Sequence, residues 1–181
     1  MMKSNEEWMI DFQKGDKEGL AILYERLHEP LYAFLFRYTK EQQLSVDIVH
    51  DAFETLQKKK HDFDSAKGTV KAYLFQIAYR ILLNRLNRRK RWRAILPFLV
   101  PTPIQSISPD EKMVVQQAIA NLPEKQRAVI LLAYYEDLPQ EEIAQILSIP
   151  VGTVKSRLHN AIKSLKEALE EVYYHEGRIS K

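Results

Sequence analysis

The residues best suited to chemistry in this chain are hydrogen-bond donors and cations strung along helical spacings. The chemistry they suit is recognition of a polyanion. In "IPVGTVKSRLHNAIKSL", residues 149–165, Val151, Val154, Leu158, Ile162 and Leu165 fall within one arc at about 100° per residue. The opposite side presents Thr153, Ser156, Asn160 and Lys163, bordered by Gly152, Lys155, Arg157 and His159. Short hydroxyl and amide side chains permit close approach to base edges, and flanking cations suit phosphates. Gly152 leaves the helix N-terminus unobstructed, so backbone N–H groups can meet a phosphate. A second stripe runs through "VKAYLFQIAYRILLNRLNRRKRWR", where Tyr73, Gln76, Arg80, Asn84, Asn87 and Arg91 oppose Leu74, Ala78, Ile81 and Leu82. Lys67, Lys71 and Arg88 add cations to it. Such a stripe fits a nucleic-acid strand: cations hold phosphates, while the ring and amides meet exposed bases. Arg85 projects onto the apolar side, so either the core ends before it or its stem snorkels.

Charge distribution supports the same partner. The net charge of the 181 residues is only +3, but residues 65–109 hold nine basic groups and no acid. Residues 1–64 sum to −4 (9 basic, 13 acidic) and residues 110–181 to −2 (9 basic, 11 acidic). One concentrated basic segment in an otherwise weakly acidic chain suggests a polyanion on a defined surface. Cysteine is absent, which excludes disulfides and thiolate metal sites. The five histidines are scattered, so neither a metal nor another cofactor is expected. "MMKSNEEW" places acids where a signal peptide needs an apolar run, and no segment is long enough to span a bilayer. A cytoplasmic, non-membrane protein is expected.

These stripes need helices to carry them. Glycine is sparse and no stretch alternates with period 2, so the expected fold is all-α. Ser4-Asn5-Glu6-Glu7 is a capping-box pattern, Asp16 can cap a second helix, and Pro30 permits a third to start. Ser45 can cap "VDIVHDAFETLQKKK", and Thr69 the long basic helix. "LPFLVPTPIQSISP" holds four prolines and no charge, which excludes a regular helix. We read residues 94–109 as a flexible linker between two small helical domains, 1–93 and 110–176. Stretched, it spans roughly 50 Å at about 3.4 Å per residue. The helical outline resumes at Ser108-Pro109-Asp110-Glu111, and residues 140–159 have the outline of a helix-turn-helix.

Taken in order, these motifs resemble a bacterial sigma factor of the sigma-70 family, in its compact extracytoplasmic-function (ECF) group. "SVDIVHDAFETLQ" looks like region 2.2, "VKAYLFQIAYRILLNRLNRRKR" like regions 2.3–2.4, and "LPEKQRAVILLAYYEDLPQEEIAQILSIPVGTVKSRLHNAIKSLKEAL" like region 4. The resemblance implies a protein that binds core RNA polymerase and directs it to promoter DNA. It implies docking of Asp47, His50, Asp51 and Glu54 on the polymerase clamp. The basic helix and the loop before it would engage the −10 element, and the recognition helix the −35 element. It further implies contact of the apolar face of region 4 with the polymerase flap. An anti-sigma factor, free or membrane-anchored, would restrain the whole. The family often has tryptophan at Tyr73, asparagine at Arg80 and glycine at Ser148, so promoter sequence does not transfer. Ser148 must take its turn without glycine's freedom. Pro139 replaces a usual capping residue, and Asp137 is the substitute cap expected here.

The competing reading is a stand-alone helix-turn-helix regulator, dimeric on palindromic half-sites. The basic stripe far from the recognition helix argues against it. A nucleic-acid enzyme would need clustered carboxylates or a nucleophile with its base, and no such constellation stands out, so no catalytic residue is expected.

Overall fold

The computed structural model describes residues 3–95 and 111–175, with side chains described over 3–91 and 113–170. Every regular element among them is helical. Helix α1 (Asn5–Gln13) opens with the expected capping box: Ser4 Oγ accepts from Glu7 N at 3.2 Å, and Glu7 accepts from Ser4 N at 2.6 Å. Helix α2 (Lys17–Thr39) is capped by Asp16, which accepts from Glu18 N at 2.9 Å.

Pro30 does not separate two helices. It lies inside α2, which runs on to Thr39. An interior proline costs about 3 kcal/mol. Against that, one uninterrupted helix buries Leu23, Leu27, Leu31, Phe34 and Leu35, each contributing about 1.5–3 kcal/mol. Burial wins, and the helix continues past Pro30 with its stripe buried.

Helix α3 (Gln42–Lys58) starts three residues before Ser45, so Ser45 is not its cap. That serine is fully buried and its Oγ donates to Glu41 O at 2.7 Å, while Thr39 Oγ1 accepts from Glu41 N at 3.1 Å. The expected core face, Ile48, Val49, Ala52, Phe53 and Leu56, is buried throughout. Helix α4 (Val70–Ile95) is capped as expected, with Thr69 Oγ1 accepting from Ala72 N at 3.1 Å. Leu74, Ala78 and Leu82 are buried, and so are Val70, Phe75, Ile77 and Tyr79. The first turns of α4 are therefore enclosed on nearly every side, which the two-sided reading of this helix did not anticipate. Phe75 packs on Phe34 with ring centroids 5.5 Å apart.

Helix α4 runs through Ile95, two residues into the expected linker, and the proline-rich stretch from residue 96 and the Ser108–Asp110 helix start lie outside the described residues. Helices α5 (Glu111–Asn121) and α6 (Glu124–Ile130) follow, then a π-helical turn, Leu131–Tyr135. Helix α7 (Gln140–Leu147) begins after Pro139 with no side-chain cap. Asp137 does not supply one: it adopts a left-handed φ of 52° and its side chain makes no capping bond. Ser148 ends α7 in the left-handed conformation (φ 54°), and α8 (Val151–His175) follows. Of the expected apolar arc on α8, Val154 is buried and Val151, Leu158 and Leu165 are half-buried, but Ile162 is 43% exposed. It lines an apolar groove with Val115, Ile130, Tyr134 and Leu165. The two helical units pack together, α4 along α7 and α2 against the π-helical turn, so the buried core runs through both.

Candidate nucleic-acid interface

The polar face of α8 is largely exposed. Gly152, Lys155, Ser156, His159, Asn160 and Lys163 are exposed, and Thr153 and Arg157 are half-buried. Ser156 Oγ donates to Thr153 O at 3.1 Å, which leaves the serine's acceptor lone pairs turned outward. Lys163 reaches Glu167 at 3.9 Å, one helical turn on, a pair exposed enough that a phosphate can replace it. A Cβ built on Gly152 meets nothing within 4 Å, so the helix N-terminus has open space in front of it. The first turn is bonded through Thr153 N and Val154 N to Pro150 O, which leaves the amides of Val151 and Gly152 at that opening.

On α4 the face divides. Asn84, Asn87, Arg88 and Arg91 are exposed. Nearer the N-terminus of the helix, the same face meets the other unit. Gln76 Nε2 donates to Gln145 O at 2.6 Å, and Arg80 Nη2 approaches Ser148 Oγ at 3.4 Å. Lys71 Nζ lies 3.1 Å from a Glu136 carboxylate oxygen and donates to Glu136 O at 3.0 Å. Glu136 is one of two buried polar residues among those described, with Arg37 3.9 Å from its other carboxylate oxygen. Burial pushes its carboxyl above the ordinary range, while Lys71 and Arg37 pull it down. Tyr73 is half-buried, its ring 5.6 Å from Phe63, and burial raises its phenol. These two rings, with Asp62, Lys67, Gly68 and Gln76, line a cleft of about 240 Å³ at the start of the helix. Lys67 itself is exposed and pairs with Asp64 at 3.2 Å.

The third group, on α3, is less free than its spacing implied. Asp51 is paired with Arg85 of α4, and Asp47 lies 3.7 Å from the same guanidinium. This settles the odd placement of Arg85: the side chain is half-buried and its head is held by two α3 acids. Glu54 pairs with Lys58, which lowers its carboxyl, and His50 is exposed. His50 and Glu54 border a shallow groove with Tyr24 and Phe53 between α2 and α3.

Four residues of this region escaped sequence reasoning: Glu124, Arg127, Glu136 and Gln145, all of which bond to α2 or α4 across the unit boundary. Nothing in their spacing marks them. Glu136 sits just beyond the π-helical turn, and Gln145 lies on the polar side of α7, where any solvated residue is permitted. Among the described residues no group of three His, Asp or Glu is placed to hold a metal ion, and no helix is long and apolar enough to cross a membrane.

Residues 23–92 match the family model for sigma-70 region 2, and residues 112–165 match that for sigma-70 region 4. The ECF RNA polymerase sigma factor SigW of Bacillus subtilis is 27% identical over 176 residues, covering 88% of this chain and 94% of that protein. SigK of Mycobacterium ulcerans, also an ECF RNA polymerase sigma factor, is 25% identical over 166 residues, covering 87% and 89%. The fold is similar to that of RpoE of Bartonella quintana, solved with the anti-sigma factor NepR (TM-score 0.70, 23% identity, 81% of this chain and 94% of that one). It is likewise similar to CnrH, solved with the cytosolic domain of CnrY (TM-score 0.69, 20% identity, 91% and 96%). Two helical units carrying regions 2 and 4 in order, each with an outward polar and basic helix face, place the chain in the sigma-70 family: it is a sigma factor of the ECF group, directing promoter-specific transcription initiation.

Proposed function

We propose that residues 1–93 and 110–176 act as the two reading heads of this sigma factor, joined by a linker over 94–109. One observation supports this most: the two polar, basic faces lie on different helices in different units, α4 and α8. A single duplex groove cannot serve both, but two separated promoter elements can.

The mechanism involves no covalent step, in keeping with relatives that are sigma factors and not enzymes. Lys155, Arg157, Lys163 and the N-terminus of α8 hold phosphates of the −35 element, and Thr153, Ser156, His159 and Asn160 face base edges. Gly152 keeps the approach clear. On the other head, Lys67, Lys71, Arg80, Arg88 and Arg91 hold the −10 strand. Tyr73, Gln76, Asn84 and Asn87 meet bases that have left the stack, which offsets part of the few kcal/mol that unstacking costs. Asp47, His50, Asp51 and Glu54 form the surface presented to core polymerase, with Tyr24 and Phe53 supplying apolar area beside them. The apolar groove around Tyr134 and Ile162 suits the polymerase flap. Each head alone makes few phosphate contacts. Polymerase supplies the rest by holding both at the required separation. An anti-sigma partner competing for these surfaces fits the company kept by RpoE and CnrH, and the site of action is the cytoplasm, where promoter DNA lies.

In vitro transcription with purified core polymerase tests this reading. Promoter-specific transcripts that appear only when the chain is added support it. Tight dimeric binding to palindromic duplex without polymerase would favour the stand-alone regulator instead.

A further inference from the structure

Helix α1 precedes both family matches, the first of which begins at residue 23, yet it holds the loop that leads into α4. We propose that α1 is a splint for that loop, with Glu6 and Gln13 as positioning residues for −10 recognition. Each acts through the backbone that carries Phe63 and Tyr73. The proposal rests on the sigma reading above, in which Tyr73 and Gln76 meet −10 bases.

The two residues stand two helical turns apart on one face of α1, about 10 Å along it at roughly 1.5 Å per residue. They grip the two ends of the loop. At one end, Gln13 Nε2 donates to Lys60 O at 2.7 Å and to Phe63 O at 2.9 Å, so one carboxamide bridges the short 3-10 turn Lys60–Asp62. At the other, Glu6 Oε1 accepts from Val70 N at 3.1 Å. Val70 opens α4, so a carboxylate meets the positive end of that helix and takes one of its unpaired amides. In return, Lys60 Nζ donates to Phe12 O at 2.9 Å, at the C-terminal end of α1, and stands 4.7 Å from the Phe12 ring centroid. All four hydrogen bonds are partly buried, where water competes weakly with them.

What these bonds fix is the wall of the cleft at the start of α4. Phe63 is buried against Tyr73, and the Tyr73 hydroxyl reaches Lys59 O at 3.5 Å. Both rings and Gln76 line the cleft. The loop's own backbone bonds close local turns, Asp62 N to Lys59 O at 2.9 Å and Lys67 N to Asp64 O at 3.0 Å. The α1 side chains tie those turns to the rest of the unit. A cleft tells one base from another only while its walls keep their place to within about 0.5 Å, and that takes hydrogen bonds behind them. Spacing did not mark Glu6 and Gln13, because their partners lie 64 and 47 residues away in the chain.

The experiment uses the full chain with core polymerase on a DNA library randomised upstream of the transcribed sequence. Sequencing the transcripts gives the preference for one base over the others at each −10 position. Gln13→Met keeps the length of the side chain and removes both donated bonds. Glu6→Met removes the acceptor, and Glu6→Gln keeps one. Ser4→Ala weakens α1 through its cap without touching the loop. Gln13→Met and Glu6→Met are expected to flatten −10 preference on the order of five- to ten-fold, while Glu6→Gln and Ser4→Ala keep it within about two-fold. Affinity for core polymerase and for random-sequence duplex should change by less than about two-fold in all four. In the free chain, hydrogen exchange of the amides of residues 61–69 should quicken on the order of ten-fold in Gln13→Met. Gln13→Glu, of the same shape but with no donor, takes its place if Gln13→Met loses its helical circular dichroism. Unchanged −10 preference in Gln13→Met and Glu6→Met would overturn the proposal. An equal loss in Ser4→Ala would also overturn it, and so would unchanged loop exchange. Absence of promoter-specific transcripts from the wild type would sink the sigma reading instead, while the exchange still decides whether α1 holds the loop.

Discussion

Helices α4 and α8 both carry a polar, basic face, but they are built on opposite plans. In α8 one side goes into the core through Val154 and Ala161, and most of the other is exposed, with Thr153 and Arg157 half-buried. In α4 the first turns pack against α2, α3 and α7, and beyond Asn84 three of its cations are still held, Arg85 by Asp51, Arg89 by Glu41 and Lys90 by Glu124. The difference teaches that one polar helix face can stand largely exposed while another is partly spent on packing between the two units. It also separates two kinds of sensitivity to mutation.

The largest effect expected is on stability. Phe75→Ala removes a fully buried ring at the centre of α4 and should cost about 3–5 kcal/mol in chemical denaturation. Ile162→Ala, on the half-exposed edge of α8, should cost less than about 1 kcal/mol. Equal losses would erase the distinction between the helices.

Next comes DNA binding by the free chain. Lys155→Ala should weaken binding to random-sequence duplex roughly five- to ten-fold, because that face of α8 is already exposed. Arg80→Ala should weaken that affinity less, because Arg80 Nη2 already lies 3.4 Å from Ser148 Oγ, yet reduce promoter-dependent transcription. If Arg80→Ala weakened duplex binding in the free chain as much as Lys155→Ala, the two faces would be equally accessible.

A smaller effect concerns the turn that joins the two faces. Ser148 holds a left-handed φ of 54°. Ser148→Gly should stabilise region 4 by about 0.5–1 kcal/mol, seen as a raised thermal midpoint. A lower midpoint would mean that the Arg80 contact outweighs the backbone strain.

The smallest is a pH effect on the packing between the units. Burial is the leading influence on the Glu136 carboxyl and raises it, against Lys71 and Arg37. A group with a raised value in the packed form favours packing most when protonated. That contribution is complete below the ordinary carboxylate range and is lost as pH rises through the raised value. The two units should therefore pack slightly more tightly at acidic than at neutral pH, read as a change in the spacing between them. Glu136→Gln should remove the dependence and keep the units packed. Loosening on acidification in the wild type but not in this variant would contradict the assignment.

The contrast also explains what could be seen in the sequence. The face of α8 was legible because its apolar residues keep to one side, so Thr153, Ser156 and Asn160 are outward by elimination. The α3 core face and the Ser4, Asp16 and Thr69 caps were legible for the same reason: each depends on residues within one or two turns. Pro30 misled because local cost was weighed without the stripe of leucines and Phe34 that α2 buries by continuing. Ser45 misled because a serine near a helix start also satisfies itself on the carbonyl four residues back. Arg85 stayed ambiguous until Asp47 and Asp51 were seen opposite it. Glu136 and Gln145 were invisible, since their partners lie 65 and 69 residues away in the chain, and no local pattern encodes a contact between units.

The most direct test of a two-headed promoter reader is the spacing between its heads at work. Because the chain has no cysteine, Ser65→Cys and Glu141→Cys introduce one spin label on each unit. The distance between labels is measured by pulsed electron paramagnetic resonance, free and in a promoter complex with core polymerase that is competent to initiate. The labels should move from the short spacing of the free chain to one larger by at least roughly a helical turn of DNA, about 34–36 Å. A complex that initiates with the labels still at their original spacing would contradict it.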